Sequence, residues 1–230
     1  MSCAGIVVAK EVEKEAILNI MENVEEIQIS NLRFLKGNIK NSKCILVKSG
    51  IGKVNAARTT QVMIDNFDIK FIINLGAGAS INPMLHIGDV LIGKYALQHD
   101  FDITAFGHSK GYITGIGNNV ECDKELVLKF QKIIKHITEL TYEIKFGVIA
   151  TGDIFCTDIV MKDKIQANFD ADVIDMECAA VGQVAYLNDI PFAALRSISD
   201  TPNGKNTRTF EENFKLASRR CANILEEFLK

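Results

Sequence analysis

Apolar residues in this chain fall into short runs that alternate with stretches of helical period. Residues 3–9 (CAGIVVA) read as a first strand, and a helix is expected from about Lys10 to Asn23 with Ile17, Ile20 and Val24 inward. Short strands near 26–30, 32–38 and 43–48 follow, punctuated by the Asn, Ser and Gly of hairpins. Gly50 and Gly52 then break the chain before a helix carrying Ala56, Thr60, Met63 and Phe67 on one face. Further strands are expected at 69–80 (IKFIINLGAGAS), from Asp89 to Gln98 and from Tyr142 to Ala150, with helices at Asp123–His136 and near 158–168. The segment Ala171–Asp200 reads as strand, helix, strand, and both of its strands are apolar enough to be buried on two faces. The most regular helix is the last, where Phe210, Phe214, Ala217, Cys221, Ile224 and Phe228 form one stripe. The pattern is that of an α/β protein built on a covered mixed sheet.

Composition narrows the class. A length of 230 residues is expected to make one domain, 1–230, with a full core, and 47% apolar with 24% charged residues is ordinary for a globular chain. A net charge of -3 gives no reason to expect nucleic acid or an anionic membrane as partner. No run approaches the roughly 20 apolar residues of a membrane span. The start of the chain lacks the basic-then-apolar pattern of a signal peptide. The six cysteines are scattered, so reduced thiols in a cytoplasmic protein are expected, and no ligand spacing points to a metal.

Three acids stand out. Glu13 lies on the inward stripe of the first helix, Glu177 follows the strand of the 171–200 unit and opens its helix, and Asp200 ends that unit's second strand. Ligands of open α/β sheets bind beyond the carboxyl ends of strands, and partly buried carboxyls can act as general acid or base near neutral pH. Each acid alone is equally readable as a helix N-terminal charge or a strand-end cap. Gly50, Gly52 and Lys53 form no complete phosphate fingerprint, and Lys53 reads as a solvated helix start. His99 beside Asp100 and Asp102 reads as structural. Phe106, in a glycine-flanked loop, reads as a side chain awaiting cover by a ligand or a second subunit.

In this order, the stretches SGIGKVNAA, NLGAG, HDFDITAFG, TGDIF, IDMECAAVG and RSISD resemble the 5'-methylthioadenosine/S-adenosylhomocysteine nucleosidases of the nucleoside phosphorylase/nucleosidase superfamily, over about 3–228. The resemblance implies a three-layer α/β/α fold with a central twisted mixed sheet flanked by helices. It also implies a homodimer, no cofactor, and hydrolysis of the N-glycosidic bond of 5'-thioadenosines to adenine and a thioribose. By position it makes Asp200 the acid at adenine N7, with Ser199 orienting it. Glu13 becomes the base that activates water, and Glu177 holds the ribose with Met176 beside it. Arg196 is implied as a water- or ribose-side contact. Phe155 is implied to stack on adenine, the Cys156 backbone to meet its edge, Ala9 and Ile51 to line the sugar and 5' side, and Phe210 to close over the 5' group. Ile103 and Phe106 are implied to complete the pocket of the other subunit.

The chain departs from the family's pattern at four places. Ala77 stands where a serine is usual and Ala79 where a glycine is; Lys10 replaces an apolar residue; and GYITGIG replaces a proline-bearing loop. The 5' substituent therefore stays open, with aminofutalosine or 5'-deoxyadenosine hydrolysis as alternatives. Phosphorolysis of purine nucleosides is disfavoured, because Asn74 and the acidic first loop VAKEVE offer phosphate no arginine. A catalytically inert binding module is disfavoured by the intact set of three acids.

Overall fold

The structure is a computed structural model and describes residues 3–137, 140–201 and 209–230. Its strands are β1 (Cys3–Val8), β2 (Glu22–Ile29), β3 (Leu32–Ile39), β4 (Ser42–Lys48), β5 (Ile69–Ser80), β6 (Val90–Gln98), β7 (Val120–Glu121), β8 (Ile144–Thr151), β9 (Val173–Asp175) and β10 (Phe192–Asp200). Its helices are α1 (Glu11–Leu18), α2 (Lys53–Asn66), α3 (Lys124–Ile134), α4 (Ile159–Phe169), α5 (Cys178–Leu187) and α6 (Phe210–Phe228).

Alternation along β1 shows how the layers arise. Ala4, Ile6 and Val8 point to one face, where they meet Ile17 of α1 and Cys221, Ile224, Leu225 and Phe228 of α6. Val7 points to the other, into a cluster with Ala56 and Met63 of α2 and the buried residues Cys178–Val181 of α5. Burying a residue such as Leu225 contributes roughly 1.5–3 kcal/mol. A third cluster, with Ile165 and Ile174, packs α4 onto the far strands.

The strand order β10-β6-β8-β9-β5-β1-β4-β3-β2 closes on itself, because β10 also pairs with β5. Five strands thus form a ring, with β10 parallel to β5 and antiparallel to β6. Strands β1, β4, β3 and β2 extend from β5 as an open wing, and the short β7 pairs with β6. The mixed sheet with flanking helices matches the expected fold class, and the ring adds a closure that no local pattern announces.

Two boundaries differ from expectation. The first helix stops at Leu18, not near Asn23, because Glu22–Ile29 pairs antiparallel with β3. That ladder satisfies a row of backbone groups and overrides the helix preference of Glu22, Glu25 and Glu26. Phe67 is not the last helical residue of α2; it is extended and packs on Phe34, with ring centroids 5.1 Å apart.

Candidate active site

The site lies beyond the carboxyl ends of the strands. There a cleft of about 700 Å³, counted out to its open mouth, is lined by residues that follow or end β1, β4, β5, β8, β9 and β10. The small residues Gly76–Ala79 let the end of β5 form its floor.

Glu13 is the most deeply held acid. It sits in the first turn of α1, where free N–H groups favour a carboxylate. One oxygen (Oε2) accepts from the amides of Ala9 (2.9 Å) and Lys10 (2.8 Å), and the other (Oε1) from Ala77 (2.9 Å). Gly76 makes this approach possible, since a Cβ there would stand 2.4 Å from Glu13 Oε1. Burial pushes the Glu13 carboxyl above its usual range, against the pull of these amides and of the Arg196 charge.

Glu177 stands at the N-cap position of α5, and its side chain accepts from the Gly52 amide at 2.8 Å. Gly52 holds φ 95°, a conformation other residues rarely adopt, and so turns its N–H back toward the site. Burial first, then the charge of Asp175, raises the Glu177 carboxyl to about 7.

Asp200 ends β10 and is gripped differently. Its Oδ2 lies 3.0 Å from the ammonium of Lys162, which α4 supplies and which is only 3% exposed, against 25% for the Asp200 side chain. Ser199 beside it bonds back to the Gly78 carbonyl (3.5 Å).

The structure gathers Ala9, Glu13, Ile51, Ala77, Phe155, Cys156, Met176, Glu177, Ser199, Asp200 and Phe210 on this one cleft. Phe155 is 64% exposed and meets the edge of Phe210, with centroids 6.0 Å apart. Arg196 corrects the expectation of a water or ribose contact, being 2% exposed and absent from the lining. Its guanidinium donates to Asp175, to Asn74 Oδ1 and to the Asn74 and Leu195 carbonyls, which uses every donor it has. It is the counter-charge of Asp175, whose carboxylate also accepts from Thr151 and from the amides of Glu177 and Cys178. Arg196 therefore braces the turn that presents Glu177.

Ile103 and Phe106 lie outside the cleft on a surface turn, with Phe106 81% exposed. Lys53 is not the solvated helix start that its sequence suggests: it is paired with Asp100 at 2.6 Å and bonded to Gln98 at 3.0 Å. His99 is also outside, its ring packed on Gly152, and burial lowers its pKa. Cys44, Cys122 and Cys221 are pushed up to about 12 by burial, which keeps them as unreactive thiols. Among the described residues, no group of three or more His, Cys, Asp or Glu is placed to hold a metal, and no helix is long and apolar enough to cross a membrane.

Sequence reasoning missed Lys162, Asp175 and Phe214. An acid closing the run DVID and an arginine within AALRSIS were the available signals for the Asp175–Arg196 pair.

Comparison with known proteins agrees with this architecture. Residues 4–230 match the family described as the phosphorylase superfamily. A 5'-methylthioadenosine/S-adenosylhomocysteine nucleosidase of Staphylococcus carnosus is 36% identical over 98% of each chain. The crystal structure of such a nucleosidase from Neisseria meningitidis, in complex with methylthio-immucillin-A, superposes with a TM-score of 0.93 at 28% identity, covering 100% of this chain and 99% of that one. A futalosine hydrolase mutant of Helicobacter pylori superposes with a TM-score of 0.91 at 29% identity, covering 99% and 98%.

Proposed function

The chain belongs to the phosphorylase superfamily, among its 5'-methylthioadenosine/S-adenosylhomocysteine nucleosidases, and on that premise we propose that it hydrolyses the N-glycosidic bond of these two 5'-thioadenosines to adenine and a thioribose. The observation that carries the reading is the convergence of Glu13, Glu177 and Asp200 on one cleft beside the exposed ring of Phe155.

Adenine leaves poorly as an anion, so a proton must reach N7 as the bond breaks. Asp200, entering the step in its protonated form, supplies it, and the Lys162 ammonium beside it stabilises the carboxylate left behind. The sugar becomes oxocarbenium-like. Glu177 accepts from its hydroxyl, and the carboxylates around it favour the developing positive charge. Glu13, whose carboxyl burial raises above its usual range, takes a proton from water as the water attacks. Ala77 contributes its N–H to Glu13 but no hydroxyl, so the water is oriented by Glu13. Stacking on Phe155 adds about 1 kcal/mol of binding. Asn74 bonds to Val7 and Arg196 and leaves no cation for phosphate, which supports water as the nucleophile.

The same reading makes the protein a homodimeric cytoplasmic enzyme of methionine salvage, with 1–230 acting as one unit. Ile103 and the exposed Phe106 would cover a partner's cleft. A second reading, aminofutalosine hydrolysis, is favoured by the likeness to the H. pylori enzyme and uses the same carboxyls. The test is adenine release from methylthioadenosine, adenosylhomocysteine, 5'-deoxyadenosine and aminofutalosine, with and without phosphate. Phosphate-dependent formation of a sugar-1-phosphate would overturn hydrolysis.

A further inference from the structure

We propose that Lys10 is a specificity residue that recognises a carboxylate on the 5' substituent, so that this chain favours carboxylate-bearing 5'-substituted adenosines over methylthioadenosine. The inference rests on the nucleosidase reading above and names the substrate class within it.

Among the described residues four acids line the cleft, Glu13, Asp175, Glu177 and Asp200, and Lys10 is the one lysine or arginine. Its ammonium has no carboxylate within ion-pair distance among the described residues; Lys14, four residues on, pairs instead with Glu11. What holds Lys10 is aromatic. Its Nζ stands 4.3 Å from the Phe214 ring centroid and 5.6 Å from that of Phe210. These two rings lie 5.9 Å apart, and Phe210 in turn meets Phe155. A row of rings thus runs from the face that takes the base to a cation at its far end. With the base on Phe155 and Asp200, and the sugar between Glu13 and Glu177, the 5' substituent is left the part walled by Ile51, Phe210, Phe214 and Lys10.

A methylthio group offers that ammonium nothing. A terminal carboxylate offers a charge-assisted hydrogen bond, and the two rings pre-place the donor so that little side-chain freedom is lost on pairing. The backbone N–H of Lys10 already serves Glu13, so the side chain alone is free to vary.

The experiment compares kcat/KM for methylthioadenosine, adenosylhomocysteine and aminofutalosine in the wild type, Lys10→Met, Lys10→Arg and Lys10→Glu. The ratio of carboxylate-bearing to methylthio substrate is expected to fall about 3- to 10-fold in Lys10→Met, to fall further in Lys10→Glu and to be restored in Lys10→Arg. In the wild type the ratio should shrink as salt rises from ~0.05 to ~0.5 M. A loss for adenosylhomocysteine alone assigns the amino-acid carboxylate, and a loss for aminofutalosine alone the aryl carboxylate. A ratio unmoved by all three variants overturns the proposal. Should the wild type cleave none of the three, the nucleosidase reading fails by itself. Calorimetric affinities of Glu13→Gln and Glu13→Gln/Lys10→Met for the same ligands would then still decide the role of Lys10.

Discussion

The two ends of the cleft hold their carboxyls by opposite means. Glu13 is enclosed by three main-chain amides with no cation in contact, whereas Asp200 faces a buried ammonium. The three amides favour the ionised form of Glu13, but burial outweighs them and leaves its carboxyl above the usual range. The Lys162 ammonium lies 3.0 Å from Asp200 Oδ2, where it meets the carboxylate that the proposed acid becomes once its proton has left. The proposed base is thus held by main-chain amides and the proposed acid by a side-chain cation.

Removing either reactive group should have the largest effect. Asp200→Asn and Glu13→Gln are each expected to lower kcat by at least ~10²–10⁴-fold, and Glu13→Gln should keep ligand affinity by calorimetry. Normal adenine release by Asp200→Asn would contradict its assignment as acid. Next comes the geometry of the amide-held end. Gly76→Ala places a Cβ on Glu13 Oε1, and the displaced base should cost about 10²-fold in kcat; a fold-preserving variant with wild-type kcat would mean that the position of Glu13 is not critical.

The cation-held end makes an asymmetric prediction about stability. Asp200→Asn leaves the 3%-exposed ammonium of Lys162 without its counter-charge and should cost about 3 kcal/mol, read by urea unfolding. Lys162→Met leaves a carboxylate that water reaches, and should cost less than half as much. Equal costs would sink the distinction drawn between the partners.

The smallest effect is pH-dependent. Burial and the charge of Asp175 raise the Glu177 carboxyl in the folded protein to about 7, above the ordinary 4.5 of a glutamate. A raised folded value means that the folded state keeps the proton longer than the unfolded chain does. The resulting stability is full below pH ~4.5 and lost as pH rises through ~7. Glu177→Gln stays neutral and can still accept from Gly52, so its melting temperature should exceed that of the wild type at pH 8 and match it near pH 4.5. A difference independent of pH would show that Glu177 is not the titrating group.

Much of this was legible in the sequence, for local reasons. The strand at 69–80, the stripe of α6 and the 171–200 unit each carry their own period, and Glu13 is visible as an acid on an apolar face. What escaped depends on distant pairing. β2 is strand only because β3 lies beside it, and the five-strand ring exists only because β10 finds two partners. Lys162 meets Asp200 across 38 residues. Arg196 resembled a ligand contact until Asp175 and Asn74 were found to occupy its donors. The stripe of α6 also changes purpose along its length: Ala217, Cys221, Ile224 and Phe228 are buried in the core, while Phe210 and Phe214 leave it for the cleft.

The main-chain cradle of Glu13 has an evolutionary corollary. Donors that belong to the polymer backbone survive any side-chain replacement that leaves the turn intact. Positions 9, 10 and 77 can therefore drift, and with them the shape and charge of the walls, while the Glu13 carboxylate stays where it is. A lineage can retune what it accepts at these positions without first disarming its chemistry.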